Sequence, residues 1–132
     1  MTLSRPTIEV LIRGPLRSVG FLVASDGSVP TKDFLTTLKN TKRGSRKAAD
    51  ITAKLTYLSA AVSLGRNFKA WEPPILQLTC EPYRVMCVER EIGGQRYLVL
   101  LHIFEKHNHY TPKADEQRTR TIYGDFDERT QS

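Results

Sequence analysis

From Tyr97 to Phe104 the chain is almost continuously apolar, with His102 as its one polar interruption. A run of that length and character suits a strand covered on both faces, so the chain has to build layers on either side of a sheet. Two other strand-length runs precede it, Ile75 to Cys80 and Tyr83 to Glu89, punctuated by Glu81-Pro82 and by Ile92-Gly93-Gly94-Gln95. These turn formers set up a three-stranded antiparallel meander. Near the N-terminus, Ile8, Val10 and Ile12 alternate with Glu9 and Arg13, and Phe21 to Val23 lies between Gly20 and Ser25-Asp26-Gly27-Ser28. An antiparallel hairpin is expected there.

Between hairpin and meander the period changes from two to nearly four. Phe34, Leu35 and Leu38 mark a short helix capped by Thr31 and ending near Asn40. Ala48, Ile51, Leu55, Leu58 and Val62 form the stripe of a second helix, capped by Ser45 and stopped by Gly65. A third helix starts at Thr111-Pro112 and ends at Gly124; with few apolar residues, it is expected to dock weakly. The element order is then β, β, α, α, β, β, β, α, an α+β fold with two helices on the N-terminal side and one at the C-terminus. Trp71, beside two prolines, is read as a packing anchor.

The 132 residues, 39% of them hydrophobic, suffice for one core. One domain over residues 1–124 with a polar, frayed tail over 125–132 is expected. No apolar run reaches the roughly 18 to 20 residues of a membrane span, and no signal-peptide core follows Met1, so the chain reads as cytoplasmic with no membrane partner. Cys80 and Cys87 are most simply small core residues. The net charge of +6 is concentrated: residues 31 to 69 carry nine Lys and Arg against two Asp. Such a segment suits a polyanion, and Lys42, Arg43, Arg46, Lys47, Lys54, Arg66 and Lys69 are candidate RNA-binding residues; the same charges also fit a merely solvated helix face.

Phosphate-loop, Cys-x-x-Cys, His-Glu-x-x-His and Gly-x-Ser-x-Gly patterns are all missing. The informative cluster is Glu105-Lys106-His107-Asn108-His109-Tyr110, at the exit of the best strand. Cleavage of RNA by its own 2′-hydroxyl needs a proton acceptor, a proton donor and cations around the phosphate, and it needs no metal or other cofactor. His107, His109 and Tyr110 can transfer protons, while Lys106 and Arg84 can hold phosphate. The same residues admit blander roles: a hydrophilic loop for 106 to 110, and a salt bridge at the sheet rim for Arg84. His102 is read as a hydrogen-bonded core histidine.

The runs Pro74-Ile-Leu-Gln-Leu-Thr, Tyr83-Arg84-Val85-Met86 and Leu98-Val-Leu-Leu-His-Ile-Phe-Glu-Lys106, followed by Thr111-Pro112, resemble the HigB branch of the RelE/ParE toxin superfamily. The resemblance extends over residues 26 to 124 and takes in Asp33-Phe34-Leu35 and the helix of residues 46 to 64. It implies a small α+β toxin that cuts mRNA on the ribosome and is neutralised by a cognate helix-turn-helix antitoxin. It matches Arg84 to the strand arginine that contacts the scissile phosphate and Lys106 to the basic residue after the last strand. His107, His109 and Tyr110 fall where relatives place further basic or acid-base residues. The chain departs from the family pattern at Thr79, where an arginine is frequent, and at Ile103, where glycine is usual. Relatives also include gyrase inhibitors, so a non-enzymatic binding protein is the alternative expectation, as is a phage accessory protein with a borrowed fold.

Overall fold

The apolar run of residues 97 to 104 lies in β6 (Gln95–Glu105), an interior strand in a computed structural model that describes residues 7–64, 68–106 and 113–130. On one side it pairs with β5 (Tyr83–Ile92), which continues to β4 (Leu76–Cys80) and the short edge strand β3 (Phe68–Ala70). On its other side stand β2 (Ser18–Val23) and the opposite edge strand β1 (Thr7–Arg13), giving one six-stranded sheet. The expected meander and the N-terminal hairpin are therefore both present and share a sheet. All pairings are antiparallel except β2 with β6, which is parallel over Ser18–Phe21 and Tyr97–Leu100. Gly93 and Gly94, both at positive φ, close the two-residue turn between β5 and β6, a backbone shape that side-chain-bearing residues adopt only with strain.

Both faces of β6 are covered, as its composition demands. Leu98 and Leu100 pack with Leu35 of α1 (Pro30–Lys39) and with Ile51, Leu55 and Leu58 of α2 (Gly44–Ala60). Val99, Leu101 and Phe104 pack on the opposite face with Phe126 of α3 (Lys113–Thr130). This is the expected α+β architecture. No helix among the described residues is long and apolar enough to cross a membrane.

Several boundaries differ from expectation for local reasons. Helix α1 begins at Pro30 rather than being capped by Thr31, because proline's fixed φ suits the first helical position; Thr31 falls inside the first turn and is buried. Helix α2 stops at Ala60, leaving Val62 outside it and 90% exposed. The cause is Arg17, a buried side chain whose guanidinium donates to the carbonyls of Leu58 and Ala61 and, through Nε, to Glu89 at 2.9 Å. It thereby satisfies the helix's last carbonyls, a role no residue of α2 itself fills. Helix α3 passes Gly124 and runs to Thr130, so residues 125–130 are helical rather than a frayed tail.

The docking of α3 is carried largely by arginines. Phe126 is fully buried, with the Arg90 guanidinium 5.1 Å from its ring centre. Arg90 also donates to Thr130, Tyr123 and Asp127, and Arg129 donates to the carbonyl of Val23. Arg120 grips Glu72 and lies over Trp71, confirming that the tryptophan is a packing anchor. The low apolar content of this helix understated how firmly it is held.

Between α1 and α2 the backbone turns within reach of itself: a Cβ on Gly44 would stand 2.2 Å from the Leu38 carbonyl oxygen. Gly44→Ala should therefore cost about 1 to 3 kcal/mol, read as a lower urea midpoint with unchanged m-value. An unchanged midpoint would show that the turn relaxes freely.

Candidate active site at one end of the sheet

Arg84 is the second residue of β5 and lies opposite Phe104 of β6. It is buried, with Nη1 donating to the Tyr83 carbonyl at 3.1 Å and Nη2 to Glu81 at 3.1 Å. The rim salt bridge allowed by the sequence is thus formed, although Glu81 itself is 73% exposed. Lys106 follows the end of β6, and its amide donates to the Pro82 carbonyl at 2.8 Å. That bond fixes the backbone of Lys106 against the turn leading into Arg84. Alternation along β6, carried one residue past its end, sets Lys106 on the face that Phe104 and Arg84 share. The two proposed phosphate-holding residues therefore come from different strands to one corner.

The basic turn between the helices lies at this same end. Thr41, next to Lys42, lines an open groove of about 570 Å³ together with Tyr83 and Glu105, the first residue of β5 and the last of β6. Phe34 packs edge-on against the Tyr83 ring across it, at 5.9 Å between centres. Burial and the Glu105 charge push the Tyr83 hydroxyl above its ordinary pKa, so it stays protonated at neutral pH. Lys42, Arg43 and Arg46 are exposed and Lys47 half-buried, and none of the four makes an ion pair among the described residues.

The remaining basic candidates are more dispersed. Lys54 donates to the Thr79 carbonyl at 2.8 Å, which ties α2 to β4. Lys69 is exposed on β3, at the far edge of the sheet. Arg66, His107, His109 and Tyr110 lie outside the described residues. Both cysteines are buried free thiols; burial raises Cys87 strongly and also raises Cys80, where Lys54 and Lys47 partly oppose it. Neither offers a thiolate nucleophile.

One polar pair exceeds the sequence reading. His102 Nε2 stands 2.7 Å from Asp115 Oδ1 in the first turn of α3, and the imidazole stacks on Phe104. A register shift puts it there. Met86 pairs with His102 whereas Cys87 pairs with Leu100, so Leu101 is an extra residue and the alternation resets after it. Without that bulge, the sequence of Val99 and Leu101 facing α3 would turn His102 toward the other helices. Alternation alone hides this placement; the only signal was a lone polar residue in an apolar strand.

Neither the protein-family models nor the curated proteins contain a match to this chain. The functional reading consequently rests on the residues themselves.

Proposed function

We propose that this protein is the toxin of a toxin-antitoxin pair, a metal-independent endoribonuclease that cuts mRNA on the ribosome. The observation that carries the reading is that Arg84 and Lys106, on the α3 face, and the cations of the α1–α2 turn, on the opposite face and without an ion pair among the described residues, lie at the same end of the sheet. An RNA strand needs such an arrangement: distributed charge to hold its backbone and localised cations at the phosphate that reacts. The 2′-hydroxyl attacks the adjacent phosphorus and the bond to the 5′-oxygen breaks, leaving a 2′,3′-cyclic phosphate. Arg84 and Lys106 stabilise the phosphorane, and the loop bearing His107, His109 and Tyr110 contributes acid-base groups. The resemblance of Tyr83-Arg84-Val85 and of the strand ending at Lys106 to HigB-type toxins supports the same assignment, with a helix-turn-helix antitoxin as the neutralising partner and the cytoplasm as the site of action.

A second reading has an observation of its own. The Arg84–Glu81 pair occupies the guanidinium with a carboxylate, as suits a binding protein, such as a gyrase inhibitor or a toxin-fold accessory protein, that performs no phosphate chemistry. Induction in a bacterial host separates the two. Endoribonuclease action yields new mRNA 5′ ends and halted translation, whereas intact transcripts with accumulating DNA breaks establish the gyrase reading.

The basic turn makes a quantitative prediction. For single-stranded RNA each phosphate contact adds about 0.7 to the slope of log affinity against log salt. Replacing Lys42, Arg43, Arg46 and Lys47 with glutamine should flatten that slope by about 0.7 for each contact removed. Lys54→Gln should change it little, because that ammonium already serves the Thr79 carbonyl. Filter-binding titrations between low and physiological salt check both, and equal slopes for all variants would place the RNA elsewhere.

A further inference from the structure

We infer that His102, oriented by Asp115, is the group that takes the 2′-hydroxyl proton, a role the sequence assigned to the exit loop; the inference rests on the RNA-cleaving reading. A histidine buried only for packing has its ring enclosed and its polar atoms satisfied by neighbours. This one is different. Its Nε2 meets a carboxylate at 2.7 Å, and among the described residues its other nitrogen, Nδ1, makes no hydrogen bond. The ring lines a groove of about 460 Å³ between Pro30 at the start of α1 and Ala114, Gln117 and Arg118 on α3. In the neutral ring, an Nε2–H donated to Asp115 leaves the Nδ1 lone pair free to accept a proton, the same division of labour that orients catalytic histidines elsewhere.

The surroundings suit a phosphodiester. Arg118 lines the groove, is exposed, and makes no ion pair among the described residues, so it is available to a phosphate oxygen. Arg84 lies opposite Phe104, with His102 two residues from Phe104 on the same strand and face, and the Arg84 guanidinium is held at the Tyr83 carbonyl and Glu81. Charged and titratable groups on this face include Asp115 and Arg118 from α3, Arg84 with its partner Glu81 at the start of β5, Arg90 with Asp127 and Tyr123 farther along, and Lys106 after β6. Helix α1 contributes Pro30, which does not titrate.

The step balances within the site. Nδ1 accepts the 2′-hydroxyl proton as the oxygen bonds to phosphorus. The bond from phosphorus to the 5′-oxygen breaks with its electron pair on that oxygen, and the imidazolium returns the proton to it through water. Asp115 holds the ring and balances its transient charge. The bulge at Leu101 is then a device that turns the imidazole out of the helix-pair core and toward the substrate groove.

The test is the pH dependence of mRNA cleavage by the full chain on programmed ribosomes. The wild-type rate should show an acid limb, because a protonated base cannot accept the 2′-hydroxyl proton. His102→Gln should lose about 10²- to 10⁴-fold in rate and lose that acid limb, with RNA affinity unchanged. His102→Ala should regain part of its activity when imidazole is added, which a purely structural role would not allow. Asp115→Asn, nearly isosteric and so safe for the docking of α3, should cost at least tenfold in rate with an unaltered thermal melt. Full activity in Asp115→Asn together with an unchanged limb in His102→Gln overturns the assignment while the nuclease reading stands. Absence of cleavage by the wild type removes the nuclease reading and this inference with it.

Discussion

Arg84→Ala is expected to slow mRNA cleavage by 10²- to 10³-fold, the loss of about 2.7 to 4 kcal/mol typical when one donor to a reacting oxyanion is removed. The magnitude depends on whether a phosphate can claim the guanidinium from Glu81. Their separation is 3.1 Å, but Glu81 is largely solvated, so the carboxylate returns to water with little penalty when it is displaced. Two of the five guanidinium N–H donors are engaged by Tyr83 and Glu81, which leaves others for substrate. Glu81→Gln should then raise cleavage modestly by removing the competing charge, and Lys106→Ala should lower it as Arg84→Ala does. Single-turnover cleavage with a circular dichroism melt on each variant decides the point. Should Arg84→Ala unfold the chain while Glu81→Gln leaves the rate untouched, the pair is structural and the binding-protein reading gains.

Phe126→Ala should destabilise the fold by about 3 to 5 kcal/mol, a large share of a small domain's total stability. Phe126 is fully buried against Leu22, Met86, Val88, Val99 and Leu101, so its loss leaves a cavity bounded by the sheet. It also leaves Arg90 without the ring it lies over. Ending the chain after Gly124 should be more damaging still, because Arg129 and Thr130, which fasten the helix to Val23 and Arg90, go with it. Urea titration of the two variants provides the check. A stable chain ending at Gly124 would restore the view that everything beyond it is a tail.

Much of this architecture could be read from the sequence because its signals are local. The apolar run in β6, the stripe of Ile51, Leu55 and Leu58, and the turn at Gly93-Gly94 each depend on neighbours a few residues away. What escaped notice depends on partners distant in sequence. Nothing near Arg17 indicates that it closes α2, since Leu58 and Ala61 lie more than 40 residues on. The extension of α3 through Phe126 is set by the sheet it covers, not by the glycine inside it. Site residues divide in the same way. Arg84 and Lys106 were visible because each marks a strand end, and the structure brings them to one corner. His102 is hydrogen-bonded, as the sequence reading has it, but a one-residue bulge, which no pattern of types reveals, decides which face it joins.

The parallel pairing of β2 with β6 has a consequence for how the molecule comes into being. Residues 18 to 21 find their partners only at residues 97 to 100, some 79 positions later. As the chain leaves the ribosome, the N-terminal hairpin therefore waits with one edge unpaired until most of the sequence has been made. Meanwhile β6 also supplies the partner strand of β5 and the floor beneath α3. Closure of the sheet, assembly of the Arg84–Lys106 corner and seating of His102 against Asp115 all await this one late strand. A fragment released before it has emerged holds the basic turn but not the Arg84–Lys106 corner.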